Sequence, residues 1–451
     1  MAILQQTAGD VVIEKIDLVT SLGETIDLTN FYMELTLNES IYSPCMFGNV
    51  VIADAANILG KSFFGDEKII LRAKSPFLKE NQVNVIEKTF DVYSITNRKL
   101  ENDRQQFFSI DFMSSEATND SITKVNKKFQ GSTDALASEI YNEYLSEGVP
   151  LKLLDTPHST SNFEFIAPYW SPFKCLNFLA KNSIGAKYLM PNIMFFESNK
   201  SFYFTSITSL VQEQKDAKVL YDEYSYLNNL DEIFEEDGDN RRGGGYTYTS
   251  PFFSNNQITV SQVDYPVYDD QLENRQSGYY GNTTFAYDFA NKDMYDIRFD
   301  YTGNSEAKNL LPENFYTFKH ITSNPPFPRE FVKSNPLSVI NFKAGASGLF
   351  SENDAFNISQ VTATCYRNTA LAELKSIVYE ITVPGKTDVE VGKLIRFNYP
   401  SVGEKLTNPS FDDLLDPKVS GLYIITGIRH SMTHRGHDMV LEIVRDSIEE
   451  V

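Results

Sequence analysis

Runs of apolar residues with a period of two dominate both ends of this chain. In the first 115 residues they read DVVIEKIDL, FYMELTL, FGNVVIAD, EKIILRA, FDVYSITNR and QFFSIDFMS, separated by turn-rich pieces. Alternation of this kind turns one row of side chains to a buried face and the next row to an exposed face. Residues 1–115 are therefore predicted to form an antiparallel β barrel or sandwich.

Two segments after residue 115 follow a helical pattern instead. In GSTDALASEIYNEYLSEG, Ser132 or Thr133 is suited to cap the first turn. In SPFKCLNFLAKNSIG, Ser171 suits the cap, Pro172 the first helical position and Gly185 the stop. The stripes expected to face a core are Leu136, Ile140, Tyr144 and Leu145 in the first segment and Phe173, Leu176, Leu179 and Ala180 in the second.

The helices and the accompanying strand SFYFTSI predict a mixed α+β middle domain over residues 116–255. Strand patterns return over 256–303 and, after an interruption, over 346–451. These two stretches are predicted to form one discontinuous second β domain, with a helix at roughly 366–375 around YRNTALAELK. Residues 304–345 interrupt this second β domain and are compatible with a place in the middle domain.

The two β regions resemble each other in the order of their strands. The early copy has EKIILRA, then DVYSITNR, a turn and QFFSIDFM; the late copy has GKLIRFN, then LYIITGIR, a turn and MVLEIVRD. Either an internal duplication or chance explains this order, because the same arrangement occurs in many β proteins.

Two stretches are interpreted as exposed connections. Residues 232–245, EIFEEDGDNRRGGG, lack the Lys-Ser/Thr ending of a phosphate-binding loop and are expected to be a flexible surface loop. Residues 323–331, SNPPFPREF, cannot continue a helix or a central strand and are expected to cross between units.

Charge and cysteine content narrow the function classes. The 61 acidic and 40 basic side chains give a net charge of −21, which repels phosphate backbones, so sequence-specific nucleic-acid binding is not expected. Cys45, Cys175 and Cys365 are odd in number, far apart and in no CxxC pair. Neither a disulfide framework nor a thiolate metal site is therefore indicated, which favours synthesis in a reducing cytoplasm. The sequence shows no signal peptide at its start and no apolar window long enough for a membrane span, so we expect neither export nor membrane insertion.

Three of the five histidines lie in RHSMTHRGHD, at His430, His434 and His437. The strand period places His430 on the more apolar face, together with Leu422, Ile424, Ile428 and Met432, and places Tyr423, Ile425 and Arg429 on the other face. His434 and His437 fall beside a turn in which Gly436 supplies a positive φ.

A metal site and a plain hairpin are the two interpretations of these histidines. A metal needs its ligand nitrogens within about 2.1 Å of one point, whereas an extended strand separates His430 from His434 by more than about 10 Å. Convergence would need a bent turn and a carboxylate from elsewhere. We therefore expect a structural hairpin in which His434 and His437 are solvated, with no metal, cofactor or catalytic residue assigned.

Catalytic motifs are absent from the sequence. There is no HExxH, no GxSxG and no Cys-His arrangement with an orienting partner. Carboxylate pairs are abundant, but a sequence does not report the separations that glycoside hydrolysis requires. The chain is expected not to be an enzyme.

Several stretches are similar to those of one known family. They are YMELTLNESIYSPCMFGNVVIAD, APYWSPFKCLNFLAKNSIG, SGYYGNTTFAYDFANKDMYDIRFDY, VPGKTDVEVGKLIRFNYP and GLYIITGIRHSM, where a histidine follows the penultimate strand as His430 does here. With these stretches the chain resembles the central hub protein of contractile-tail baseplates of bacteriophages, which is related to phage late-control tail proteins and to the base of type VI secretion spikes. Residues 232–245 and 406–420 depart from the shorter patterns of that family.

The resemblance implies a mainly β, α+β fold with two similar antiparallel β-barrel tube domains and a mixed α+β middle domain. It implies a homotrimeric ring of pseudo-sixfold symmetry in the virion tail baseplate, made in the host cytoplasm, that joins a sixfold tail tube to a threefold central spike. Expected partners are the tail-tube or tube-initiator protein, the spike and the baseplate wedge proteins, with DNA or tape-measure protein passing through. Because the net charge is −21, the channel face is expected to be acidic.

Other functions are compatible with the same features. A hub of a non-phage contractile injection system would share the architecture and carry a toxin. A carboxylate-dependent glycan hydrolase is a different class, which the lone Trp170 disfavours because sugar clefts usually stack several tryptophans. A monomeric β-rich adhesin is a third alternative.

Overall fold

The structure is a computed structural model that describes most of the chain. The described residues are 9–60, 65–76, 78, 84–102, 105–155, 163–187, 190–217, 221–226, 259–268, 281–288, 293–300, 341–342, 367, 370–371, 374, 377–401, 415–416 and 419–445. The segments 232–245 and 323–331, and most of 406–420 and of the helix expected at 366–375, lie outside these residues. Within the described part, no helix has the length and apolarity to cross a membrane.

The first 114 residues form seven strands, here called the early β unit, with one turn of 3-10 helix at Ile58–Gly60. The strands are β1 (Val12–Val19), β2 (Thr25–Asp27), β3 (Tyr32–Ser40), β4 (Phe47–Asp54), β5 (Lys68–Lys74), β6 (Val85–Asn102) and β7 (Gln105–Ser114). Each predicted run in this region is a strand, and the alternating burial along β4, β5 and β7 agrees with the period of two.

Helices and short strands alternate in the next hundred residues, here called the middle unit. They are α1 (Ser115–Ile122), β8 (Val125–Gly131), α2 (Thr133–Tyr144), β9 (Leu151–Leu154), β10 (Phe163–Trp170), α3 (Pro172–Lys181), β11 (Ile193–Glu197), β12 (Phe202–Ser206) and α4 (Ile207–Asp216). The two predicted helices are α2 and α3, and their predicted stripes are buried apart from the half-buried Tyr144.

The helix ends show where local signals succeed and fail. Ser171 Oγ accepts a hydrogen bond from the Lys174 amide at 3.4 Å, as expected for a cap, whereas Ser132 occupies the cap position of α2 without a side-chain bond. Helix α3 ends at Lys181 and not near Gly185. The side chain of Asn182 donates to the Phe178 carbonyl at 2.8 Å, which satisfies one of the last helical acceptors earlier than a glycine stop would.

The remaining strands complete a second β region. They are β13 (Asp222–Ser225), β14 (Gln262–Tyr268), β15 (Gly281–Asp288), β16 (Asp293–Asp300), β17 (Asn341–Phe342), β18 (Ile377–Pro384), β19 (Leu394–Asn398), β20 (Gly421–Thr433) and β21 (Gly436–Arg445). Strands β14 and β18 to β21 are here called the late β unit. Strands β15, β16 and β17 form a separate sheet, and β13 pairs in parallel with β19 although its residues fall within the predicted middle domain.

The early and late β units repeat one topology over five strands. The spatial order β3-β4-β7-β6-β5 in the early unit matches β14-β18-β21-β20-β19 in the late unit. All neighbours are antiparallel in both units, and the five strands follow one another along the chain in the same sequence. Sequence comparison identified three of these five pairs of equivalent strands.

A single ladder joins the two units. Strand β3 pairs antiparallel with β20, from Glu34 opposite Thr433 to Ser40 opposite Gly427, so that one 13-stranded sheet runs through both units. Met432 of β20 packs in the core of the early unit, and Ile41, just after β3, packs in the core of the late unit. The two units therefore share side chains as well as hydrogen bonds.

Candidate functional site at the junction of the three units

The turn between β11 and β12 lies where the three units meet. Strands β11 and β12 pair antiparallel, and their phenylalanines are buried in the core of the middle unit and at its border with the late unit. The turn sequence Ser198-Asn199-Lys200-Ser201 is rich in residues that bond their own backbone, and Ser198 donates its amide to the Ser201 carbonyl at 2.9 Å. Because the hairpin is anchored in this way, the polar side chains at its tip are held in place.

Glu197, at the end of β11, reaches into the early β unit. Its Oε2 accepts hydrogen bonds from the Met46 amide and from the Ser114 hydroxyl, both at 2.6 Å, and its Oε1 contacts the Lys88 ammonium. The side chains of Lys88 and Glu197 are only 5% and 0% exposed. A buried ion pair with this many partners compensates charges that would be very costly to bury singly.

A second carboxyl group lies near this pair. Glu116, in the first turn of α1, is 2% exposed, and its Oε1 has no hydrogen-bond partner in the described residues. Burial raises the pKa of Glu116 to about 7, and the negative charge of Glu197 adds to that rise. Glu116 therefore holds its proton well above the usual range of a glutamic acid.

The rest of the turn binds the other side of the junction. The Asn199 amide donates to Glu39 Oε2 of β3 at 3.2 Å. Ser198 Oγ and Lys200 Nζ donate to the two carboxylate oxygens of Glu390 at 3.1 and 2.7 Å. The β11–β12 turn thus contacts the early β unit, including its strand β3, and also contacts the loop that precedes β19.

The histidines meet the same junction. His430 Nδ1 lies 3.0 Å from His437 Nε2, and His430 Nε2 lies 3.7 Å from Glu39 Oε1. His430 and His437 are 0% and 1% exposed, so the prediction that His437 is solvated was wrong. The hairpin turn is short, and β21 returns with His437 on the inner face, directly against His430. Burial lowers the pKa of His437 well below its usual range, and the charge of His430 adds to this effect.

The third histidine behaves as expected of a turn residue. His434 is exposed, although its Nε2 lies 2.7 Å from the Tyr32 carbonyl. The alternation along β20 holds from Ile428 to Thr433, but a bulge between Ile425 and Gly427 interrupts it before that point. Before the bulge both faces of the strand are covered, so Tyr423 and Ile425, expected on the opposite face to Ile424, are buried as well.

The geometry of the histidines suits one hydrogen-bonded pair beside a carboxylate better than a metal centre. His430 turns opposite ring nitrogens to Glu39 and to His437, so one ion cannot bind both neighbours through it. Within the described residues, no group of three or more His, Cys, Asp or Glu side chains is arranged to hold a metal ion. The arrangement joins β3, β20 and β21 through polar side chains in an otherwise apolar interior.

Two further contacts bring distant parts of the chain to the junction. Thr387 and Ser75 exchange amide-to-hydroxyl hydrogen bonds of 3.1 and 3.2 Å, which tie the early unit to the loop after β18. The Arg367 guanidinium donates to the carbonyls of Ala180, Pro191 and Ile193 in the middle unit. Sequence analysis assigned no role to Glu39, Lys88, Glu116 or Glu197, because isolated charged residues at such separations leave no local signal.

Comparisons with known proteins identify the fold. No protein-family model and no curated protein matches the sequence. A tail protein from Neisseria meningitidis MC58 matches 96% of this chain over 96% of its own, with a TM-score of 0.55 and 8% identity. The 43 kDa tail protein of prophage MuSo2 from Shewanella oneidensis matches 96% of this chain over 98% of its own, with a TM-score of 0.51 and 10% identity.

These likenesses extend over nearly the full length of each protein. They confirm the predicted mainly β fold with a mixed α+β part, and they confirm the resemblance to phage tail proteins at the level of the fold. Both similar structures are tail proteins by name. At 8% and 10% identity the similarity establishes shared architecture, and function is argued from this chain's own residues.

Proposed function

We propose that this chain is the structural hub of a contractile-tail baseplate. Three copies form a ring of pseudo-sixfold symmetry that joins a sixfold tail tube to a threefold spike, contacts the surrounding wedge proteins and lies in the tail of the virion. The observation that carries this proposal is the repeated five-strand topology within one continuous sheet. A chain with two equivalent β units contributes six such units to a closed threefold ring.

The domain division follows from the same repeat. We assign residues 1–115 to a first tube domain and 256–303 with 346–451 to a second, each built on the matched five-strand order. Residues 116–255 then form the middle domain on the outside of the ring, where wedge proteins bind. The described ladders run as an open path from β14 to β2, and contacts between copies in the ring cover its edges.

One face of the shared sheet is suited to line a channel. In the six strands β18, β21, β20, β3, β4 and β7, the residues opposite the core are mostly small polar or aliphatic side chains. The carboxylates on this face are Glu34, Asp111, Glu380, Asp438 and Glu442, against a single guanidinium, Arg429. Such a wall repels a polyanion and leaves it few groups to adhere to, as DNA passage requires.

The role is non-enzymatic in this proposal. The similar structures are tail proteins, and the acidic groups of the junction are buried against lysine, histidine and backbone amides, where a glycan cannot reach them. Their geometry serves to hold the three units together.

Electron microscopy and native mass measurement of the full-length chain test the assembly. We expect annular threefold particles with six similar densities around a central hole, formed by the chain alone or together with tail-tube and spike proteins. A chain that stays monomeric with those partners present contradicts the proposal.

Charge reversal tests the channel face separately. Changing Asp111, Glu380 and Asp438 to lysine should make the ring retain double-stranded DNA, whereas the wild-type ring should not. A matched control changes Glu139, Glu143 and Glu164 of the middle unit to lysine. Equal DNA retention by both variants contradicts the assignment of this face to the channel while leaving the ring itself intact.

A further inference from the structure

Lys88, Glu197 and Glu116 are ionisable side chains that are buried where the early and middle units meet. The Lys88 ammonium lies 3.5 Å from Met46 Sδ and 6.0 and 5.8 Å from the ring centres of Phe90 and Phe202. With Lys88 and Glu197 both nearly inaccessible, water cannot separate the nitrogen from the carboxyl group. A nucleophile and an electrophile are thus held in contact in an apolar setting.

The two oxygens of Glu197 have different surroundings. Oε2 accepts from the Met46 amide and the Ser114 hydroxyl, both at 2.6 Å, whereas Oε1 faces Lys88. Two donors on one oxygen stabilise the negative charge that develops there when a carboxyl carbon is attacked. The other oxygen is positioned to leave.

We propose that Lys88 and Glu197 are joined by an isopeptide bond. Proton transfer from the ammonium within the buried group yields a neutral amine and a carboxylic acid. Lys88 Nζ then attacks Cδ of Glu197, forming the N–C bond. A proton passes from the nitrogen to Oε1, the C–Oε1 bond breaks and one water leaves. The sum is ammonium plus carboxylate giving amide plus water, with no oxidant, reductant or other reactant.

Burial and proximity favour the product. The ion pair bears the cost of two desolvated charges, whereas the amide is neutral and its carbonyl keeps the hydrogen bonds from Met46 and Ser114. Holding the reacting groups in contact replaces a bimolecular encounter, which accounts for a large part of the barrier to such reactions. The bond joins β6 to β11 and closes a covalent loop between the early and middle units.

The same turn contains an internal control. Lys200 and Glu390 form an ion pair at 2.7 Å, but their side chains are 17% and 11% exposed. Solvent reaches this pair and stabilises the separated charges. We therefore expect Lys200 and Glu390 to remain unlinked.

Mass spectrometry of the denatured full-length chain tests the proposal. We expect an intact mass lower than that of the sequence by one water molecule. Trypsin should release a branched product in which residues 80–98, uncleaved after Lys88, are joined to residues 188–200. An intact mass equal to that of the sequence overturns the proposal, and so does a water loss that maps to other residues.

Three variants assign the roles. Lys88→Arg should show the full mass of its sequence, because a guanidinium is a poor nucleophile. Glu197→Ala should also show its full mass, because the reacting carboxyl group is gone. Lys200→Arg should keep the bond. A water loss that persists in Lys88→Arg contradicts the proposal. None of these results depends on whether the chain forms a ring.

Discussion

The early and late β units share five strands in the same order, yet the middle unit binds them by different chemistry. Toward the early unit, the β11–β12 turn presents Glu197 to Lys88 in a place closed to water. Toward the late unit, the same turn presents Lys200 to Glu390, and solvent reaches both side chains. A buried ion pair depends on both partners, because water cannot solvate a charge that is left alone there. An ion pair that water reaches is less affected when one partner is removed. At this turn, the contact with the early unit therefore depends more strongly on both partners than the contact with the late unit does.

The two cores differ as well. The early core consists mainly of aliphatic residues and phenylalanine and includes Tyr32, whereas the late core buries Tyr224, Tyr379 and Tyr423. Tyrosine brings a hydroxyl group that needs a partner, and Tyr423 donates to the Val419 carbonyl at 2.5 Å. Between the cores, where β3 pairs with β20, the side chains of Glu39, His430 and His437 lie next to one another. The two units share one topology, but different side chains stabilise it in each unit.

The largest expected effect is a difference in stability between variants of the two ion pairs at the β11–β12 turn. Glu197→Ala should lower the free energy of unfolding by about 3–5 kcal/mol, because it leaves the Lys88 charge buried and unpaired. The matched change Lys200→Ala should cost less, about 1 kcal/mol, since Glu390 keeps the Ser198 hydroxyl at 3.1 Å and the Lys393 ammonium at 3.9 Å. Urea unfolding of both variants measures the difference, and equal losses would remove the distinction drawn between the contacts.

A second pair of changes asks whether the two units unfold together. Leu37→Ala in β3 and Leu441→Ala in β21 each create a cavity in a fully buried site, at a cost of about 2–5 kcal/mol. Because the sheet is continuous through β3 and β20, each should shift one common unfolding transition. Calorimetry showing two transitions, each moved by only one of the variants, would mean that the units are independent.

The early–middle contact should weaken as pH rises. The pKa of Glu116 is about 7 in the folded chain, above the 4.5 of the free side chain, so the folded state binds more protons between these values. Its stabilising contribution is complete below pH 4.5 and is lost as pH rises through about 7. At pH 8, Glu116→Gln should be more stable than the wild type by about 1–3 kcal/mol. At pH 4 the gain should vanish, and a gain that is the same at both pH values would contradict this assignment.

The contact between β3 and β20 should respond to pH in the opposite direction. Burial keeps the pKa of His437 below 6.5, so the unfolded chain binds a proton that the folded chain does not. Stability should therefore fall as pH drops below 6.5. In His437→Gln, which retains a side chain able to hydrogen-bond His430 but does not titrate, this acid-sensitive part should be smaller. Urea midpoints at pH 7.5 and 5.5 measure it, with exposed His434→Gln as the control; an identical pH slope in wild type and His437→Gln would exclude His437 as its source.

Local patterns were sufficient for the elements but not for their assembly. The runs around β3 to β7 and β18 to β21 were predicted because a half-buried strand imposes a period of two wherever it lies. Helix α3 was predicted from Ser171 and Pro172, whose effects act within one turn. Helices α1 and α4 were not predicted. The buried residues of α1, Ser115 to Ala117, form no apolar stripe, and the buried residues of α4 are confined to its first half and directly continue strand β12.

The candidate site was largely beyond sequence reasoning. His430 was placed correctly on an apolar face, but its neighbours Glu39 and His437 depend on the pairing of β3 with β20 and on the direction in which β21 returns. Glu197 and Lys88 are 109 residues apart, and no periodicity relates a lysine on one strand to a glutamate at the end of another. A buried polar group needs a partner, but its sequence position does not identify that partner.

The sequence by itself determined which segments become strands and helices, the similarity of the two β units and the acidic character of the chain, because these follow from side-chain periodicity and composition. Only the tertiary structure decided that β3 joins β20 into one sheet, that β13 belongs to that sheet, and that one turn places Glu197, Asn199 and Lys200 against three different surroundings. Contacts between residues far apart in the chain depend on how whole elements pack, and that packing minimises exposed apolar surface over the molecule as a whole.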